Sequence, residues 1–265
     1  MGINEFIKTA RRGIAMCMAA VFILTALAAC GTGKVRMPDG DINEKNLDEV
    51  CAVLKDAGLS NIDVFETWVR DYLDGGYENA DASGFCDADC RMTVTLLAGD
   101  FIECERPEPE YGGTYLMFDL EAIENQPEYS VLKDKKALFT TLFGEMPIPE
   151  SGFSDAFTEN LEKHGIRFSG DKFSVISILI KSYEEETAFV GHTGLLIDCR
   201  ENGDIGSDYL FVEKIAFNDV YKATPVKGDE ELVRLLSARP DYMPAEGDPN
   251  TLIYKNAELI GEIAR

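Results

Sequence analysis

Positive charge is scarce in this chain: 25 lysines and arginines face 48 aspartates and glutamates, a formal net charge of −23. Nucleic acid demands a basic footprint, so it is excluded as a partner. Histidine is scarcer. Only His164 and His192 occur, and no HExxH run is present, which excludes a multi-histidine zinc site. Cys86-x3-Cys90 is wider than a zinc knuckle and has no second pair, so no metal is expected there. Repeats and low-complexity blocks are absent. The longest uncharged apolar stretch is Gly13–Ala29, too short and wrongly flanked for a spanning helix. What remains has ordinary apolar content, 45%, and modest proline and glycine, which marks a globular protein rather than a disordered acidic tail.

That stretch follows Lys8, Arg11 and Arg12 and closes on Leu27-Ala28-Ala29-Cys30, the order of a secretory signal with a small-residue cleavage site. The ending resembles the bacterial lipoprotein signal. The resemblance implies diacylglycerol on the Cys30 thiol, cleavage before it, and a membrane held through that lipid on the extracytoplasmic face. An ordinary secretory signal with a chance cysteine is the plainer alternative. The expected organisation is a signal peptide over 1–29, a polar, glycine-rich tether over 30–43 and a single globular domain over 44–265. Without 1–29 the charge is near −25, which serves solubility and disfavours lying flat on an anionic leaflet. If Cys17 leaves with the signal and Cys30 takes the lipid, Cys51, Cys86, Cys90, Cys104 and Cys199 remain. Being odd in number outside the cell, at least one is free or pairs with another molecule.

Periodicity divides the domain in two. Helical spacing predicts helices over 46–57, from a Ser60 cap to Gly75-Gly76, over 90 to about 101 behind an Asp89 cap, in two pieces over 119–145, and over 155–163 with His164-Gly165 as the stop. β-branched and aromatic runs then predict strands over 166–169, 173–181, 187–198 and 209–218. A short helix over 229–239 and a last strand near 251–254 follow. Helices first and an antiparallel sheet afterwards is an α+β pattern. Trp68 and Phe65 read as core, and His164 as a helix-terminal residue facing the dipole.

Two places carry polar groups that packing alone would not put there. Cys90 opens a helix, where free N–H groups and the macrodipole favour a thiolate, while Asp87 and Asp89 oppose it. His192, Glu213 and Lys214 interrupt two apolar strands, and unpaired buried charges cost several kcal/mol. Folding that hairpin about Asn202-Gly203 sets His192 opposite position 214–215 and Glu213 diagonal to it, within hydrogen-bond reach if they share a face. Gly191 and Gly194 leave room for a ligand or another backbone. The structural alternatives are a buried or bridged thiol (with Cys86), a satisfied core histidine, a Glu213–Lys214 ion pair, and Arg91 paired with Asp87 rather than holding a substrate.

A thiol at a helix start, a histidine on a later strand and an acid on the next resembles the papain-like peptidases and amidases of bacterial cell walls. That resemblance implies a papain-like architecture with Cys90 as nucleophile, His192 as base and then acid, and Glu213 fixing the imidazole. Arg91 and Lys214 would bind substrate, a cell-wall component or small molecule, and no cofactor is required. The segments Asp89–Thr93, Gly191–Leu196, Phe211–Phe217 and Tyr254–Asn256 also resemble a family of uncharacterised Gram-positive lipoproteins, domain of unknown function 4300, from about Asn46 onward. That second resemblance implies location and no reaction. The competing expectation is a surface lipoprotein that binds a ligand or partner and catalyses nothing.

Overall fold

Long apolar runs with two buried faces need cover on both sides, and the centre of this molecule is built from such runs. The computed structural model describes residues 37–75, 88–108, 111–182, 186–201, 207–217 and 219–265. All lie in one compact unit, Arg36–Arg265. The signal and lipid-site residues, Cys86 and Asp87 fall outside the described residues. No described helix is long and apolar enough to cross a membrane.

The helices come first: α1 (Leu47–Asp56), α2 (Ile62–Leu73), α3 (Cys90–Ala98), α4 (Met117–Asn125), α5 (Lys136–Phe143) and α6 (Ala156–His164), with α7 (Asp229–Ser237) late in the chain. The strands are β1 (Gly40–Asp41), β2 (Ile102–Cys104), β3 (Met146–Pro147), β4 (Ile166–Phe168), β5 (Phe173–Lys181), β6 (Thr187–Asp198), β7 (Tyr209–Lys214), β8 (Tyr221–Val226), β9 (Thr251–Lys255) and β10 (Glu258–Ile263). Eight form one antiparallel sheet in the order β1-β8-β7-β6-β5-β9-β10, with β3 also on β6, while β2 and β4 pair separately. The architecture is α+β, as the sequence pattern predicts.

Each face of the sheet has its own core. Helices α1 to α6 cover one face, where Trp68, Phe65, Phe143 and Phe157 meet Val190, Leu195, Val212 and Tyr254. Trp68 packs edge-on to Tyr129 at 5.0 Å and donates its ring N–H to the Glu128 carbonyl. A smaller core on the other face joins Leu232 and Leu236 of α7 to Ile176, Leu196, Phe211 and Ile253.

Several local signals differ from expectation. The residue before α2 is Asn61, in the left-handed region (φ 54°) and without a side-chain cap, rather than Ser60. Strand 209–218 ends at Lys214, because the chain turns there into β8. Strand 166–169 leaves the main sheet to pair with β2. A final hairpin turns at Asn256 (φ 53°), which exchanges hydrogen bonds with the Val175 backbone: its N–H donates to the Val175 oxygen at 2.7 Å and its side-chain oxygen accepts from the Val175 N–H at 2.8 Å.

Candidate functional site

His192 owes its position to a bulge. On the β5–β6 ladder Ile178 faces His192 and Leu179 faces Val190, so Gly191 has no partner. The extra residue reverses the alternation. Val190 faces the helix-covered core, whereas His192 and Leu196 face α7. Space at the two glycines is filled by neighbouring strands: a Cβ on Gly191 would strike Ile180, and one on Gly194 the Phe211 ring.

The β6–β7 ladder runs from Asp198–Tyr209 to Leu195–Val212 and stops. Continued by count, it sets Gly194 beside Glu213 and His192 diagonal to it. The side chains meet accordingly, with His192 Nε2 2.8 Å from Glu213 Oε2. Alternation sends Lys214 to the opposite face, over the Tyr72 ring at 4.3 Å and the Tyr221 ring at 4.8 Å, with its ammonium on the Asp219 carbonyl. Glu213 and Lys214 are therefore not an ion pair, and Lys214 is fully buried away from His192.

Glu213 is held from a second side by a residue the sequence did not single out. Arg239, between α7 and the short turn Pro240–Tyr242, grips both carboxylate oxygens: Nη1 to Oε2 at 2.7 Å and Nη2 to Oε1 at 2.5 Å. Arg239 Nη1 also donates to the Tyr242 hydroxyl at 3.1 Å, and the Tyr242 ring stacks on His192 with centroids 5.4 Å apart. Burial pushes the Glu213 carboxyl up, but the hydrogen bonds from Arg239 and His192 outweigh it and hold the group below the usual range. Nothing local in the sequence marks this pairing, since 26 residues separate the partners. Only the lone arginine before Pro240 hints at it.

Cys90 reaches the same region from the helical side. β5 occupies one edge of β6, so β3, on residues 187–188, and β7, on 195–198, share the other. The start of α3 meets the stretch between them, where the Thr193 N–H lies close enough to the Cys90 sulfur to favour its thiolate and Arg91 Nη1 lies 3.5 Å from the Val190 oxygen. Asp89 caps α3 as expected, Oδ1 accepting from the Met92 N–H at 2.8 Å. The contest between dipole and acids is decided by burial. With 5% of its surface exposed, the Cys90 thiol is pushed up to about 12, mainly by lost hydration and then by Asp89, against Arg91 and the Thr193 N–H. Cys90 is a free thiol, as are Cys51, Cys104 and Cys199. Cys90 thus lies against the residue next to His192, while the hydrogen bond of the imidazole goes to Glu213.

Arg91 has buried partners of its own. Its Nη2 lies 2.8 Å from Asp89 Oδ2 and 3.2 Å from Asp119 Oδ2, and its Nε donates to Asp119 Oδ1 at 3.3 Å. Two acids share one guanidinium, so burial and the Asp89 charge raise the Asp119 carboxyl well above its ordinary range in spite of Arg91. Among the described residues no three acidic, histidine or cysteine groups converge as a metal would require. A groove of about 490 Å³ at the end of α6 contains none of these residues. Its Arg106 is spent on the Lys163 and Glu162 carbonyls, and its Arg167 on Glu103 and Glu105. His164 ends α6 as expected, with Nδ1 2.6 Å from the Arg106 carbonyl oxygen.

Residues 77–260 match the family described as Domain of unknown function (DUF4300). The chain belongs to that family. The matched stretch contains Cys90, His192, Glu213 and Arg239, and begins after α1 and α2. No curated protein and no solved structure is matched by the chain.

Proposed function

We propose that this member of the DUF4300 family is a lipid-anchored thiol hydrolase of papain-like type, acting on amide or related acyl bonds in the cell envelope. The observation that supports this most is the 2.8 Å contact between His192 Nε2 and Glu213, with Cys90 close to the very next backbone N–H. Glu213 occupies Nε2, which leaves Nδ1 as the ring nitrogen that exchanges a proton with the thiol. The resting thiol is neutral, so attack requires that its proton pass to His192 as the carbon–sulfur bond forms. The carbon–nitrogen bond then breaks, and the imidazolium returns its proton to the leaving amine. Water next attacks the thioester, giving a proton to His192, and the departing sulfur recovers it. In α3 the Met92 N–H is taken by the Asp89 cap and the Thr93 N–H bonds the Asp89 carbonyl. The N–H groups of Cys90 and Arg91 precede them and are the donors this reading gives to the oxyanion. Arg91 and Lys214, bound internally, serve the scaffold in this reading rather than the substrate.

Incubation of full-length protein with a thiol-directed acylating probe tests the reaction. A thioester on the Cys90 peptide, absent in Cys90→Ala and slowly hydrolysed in wild type, is expected. Equal labelling of both forms removes the proposal. Metabolic labelling with a fatty acid tests the anchor, with loss of label in Cys30→Ala expected.

A second reading is favoured by the burial of both reacting groups, 5% for Cys90 and 2% for His192. A surface lipoprotein that only binds a ligand would keep this cluster as a closed polar core, and its Cys90 would stay unmodified by the same probe.

A further inference from the structure

The imidazole of His192 is held from two directions. Glu213 comes from β7 and Tyr242 from the segment after α7, with Arg239 behind both, while Cys90 of α3, near Asp89, Arg91 and Asp119, lies against the neighbouring Thr193. A carboxylate has two oxygens and can rotate about its last bond, so a single contact to a histidine would not settle which oxygen faces the ring, or whether the ring is turned. Arg239 removes that freedom. Its planar fork holds Oε1 and Oε2 together at 2.5 and 2.7 Å, so the carboxylate plane is fixed by a largely buried guanidinium that is itself tied to the Tyr242 hydroxyl. Tyr242, tied to the same guanidinium, lies nearly parallel to the imidazole at an interplanar angle of 29° and fixes the ring plane. A carboxylate accepts only, so the nitrogen facing it carries hydrogen.

We infer that Arg239 is a positioning residue: by gripping both oxygens of Glu213 it commits the neutral imidazole of His192 to the Nε2–H tautomer and keeps Nδ1 as the basic nitrogen. Its catalytic meaning rests on the thiol-hydrolase reading, for which Nδ1 is the proton acceptor. The tautomer itself does not depend on that reading. Wrong-tautomer imidazoles are costly in hydrolases of this logic, because the base then presents a hydrogen where a lone pair is needed.

The chain has only two histidines, so nitrogen-15 spectra of the imidazoles in the full-length protein at pH 8 read the tautomer directly, with His164→Gln assigning the pair. Wild type is expected to show a pyrrole-like Nε2 and a pyridine-like Nδ1 for His192. A proton on Nδ1 overturns the inference without any site variant. In Arg239→Gln the two nitrogens are expected to move toward averaged shifts as both tautomers become populated, and an unchanged single tautomer overturns it. Should Arg239→Gln not fold, Arg239→Lys keeps the charge without the fork; a measurable share of the Nδ1–H form is expected, and none overturns the claim. Failure of Cys90 to acylate leaves these spectra as predicted, whereas a wrong tautomer beside normal acylation removes the role of Arg239 and the assignment of Nδ1 as the base, and leaves Cys90 as the nucleophile.

Discussion

Two buried ionic clusters flank Cys90, and they are built in opposite proportion. On the α7 side one carboxylate, Glu213, is shared between a guanidinium and an imidazole. On the helical side one guanidinium, Arg91, is shared between two carboxyls, Asp89 and Asp119. Burial pushes both Glu213 and Asp119 up, yet the outcomes diverge. Glu213 has donors to spare and is held below the usual range, while Asp119 competes for a single cation and is raised. The ratio of cations to anions, more than depth, therefore decides which buried acid keeps its charge.

The sign of each shift predicts opposite pH failures. A depressed carboxyl contributes stability that is present above its unfolded value and disappears as pH falls through the folded one, so Glu213 makes the α7 side sensitive to acid. A raised carboxyl binds its proton more tightly when folded. Asp119 therefore lowers stability as pH climbs from the ordinary carboxylate range toward its folded value.

The largest effect is expected from Arg239→Met, which strands Glu213 as a buried unpaired charge. It should cost about 3–5 kcal/mol in urea unfolding at pH 7. Adding Glu213→Gln should recover a large part of that loss, and no recovery would show that the two residues do not act as a pair. Next is Asp119→Asn, an isostere that keeps one of the two Arg91 bonds without the titrating proton. It should flatten the decline of stability on the alkaline side, worth about 1.4 kcal/mol for each pH unit spanned by the shift. Unfolding curves at a series of pH values check this, and a decline equal to wild type would mean that Asp119 is ionised throughout. The smallest effect separates the cap from the charge at Asp89. Asp89→Ala should cost about 1 kcal/mol of thermal stability through the lost bond to the Met92 N–H, and Asp89→Asn much less.

The two clusters also differ in how far they were legible. His192 and Glu213 can be paired on paper because both sit in apolar runs with Asn202-Gly203 between them in the sequence, and counting residues across a hairpin gives the register. In the sequence Gly191 reads as room beside His192, and only the ladder reveals that it is a bulge that turns His192 toward α7. Arg239 and Asp119 could not be assigned, because their partners lie 26 and 28 residues away and depend on how α7 and α4 dock. Strand β8 was hidden by Pro225, tolerated because β8 lies next to the edge and β1 pairs only with 222–223. Strand β10 was hidden because it is an edge strand rich in exposed glutamate.

The central claim is that His192 activates Cys90 despite a thiol pushed up to about 12. The most direct test is the rate of iodoacetamide alkylation of the Cys90 peptide at pH 7, followed by mass spectrometry in wild type and His192→Ala. Half-buried Cys104 serves as the internal reference. General-base assistance predicts alkylation of Cys90 about a hundredfold faster in wild type than in the variant, with Cys104 unchanged. Equal and slow rates at Cys90 in both proteins would contradict the account.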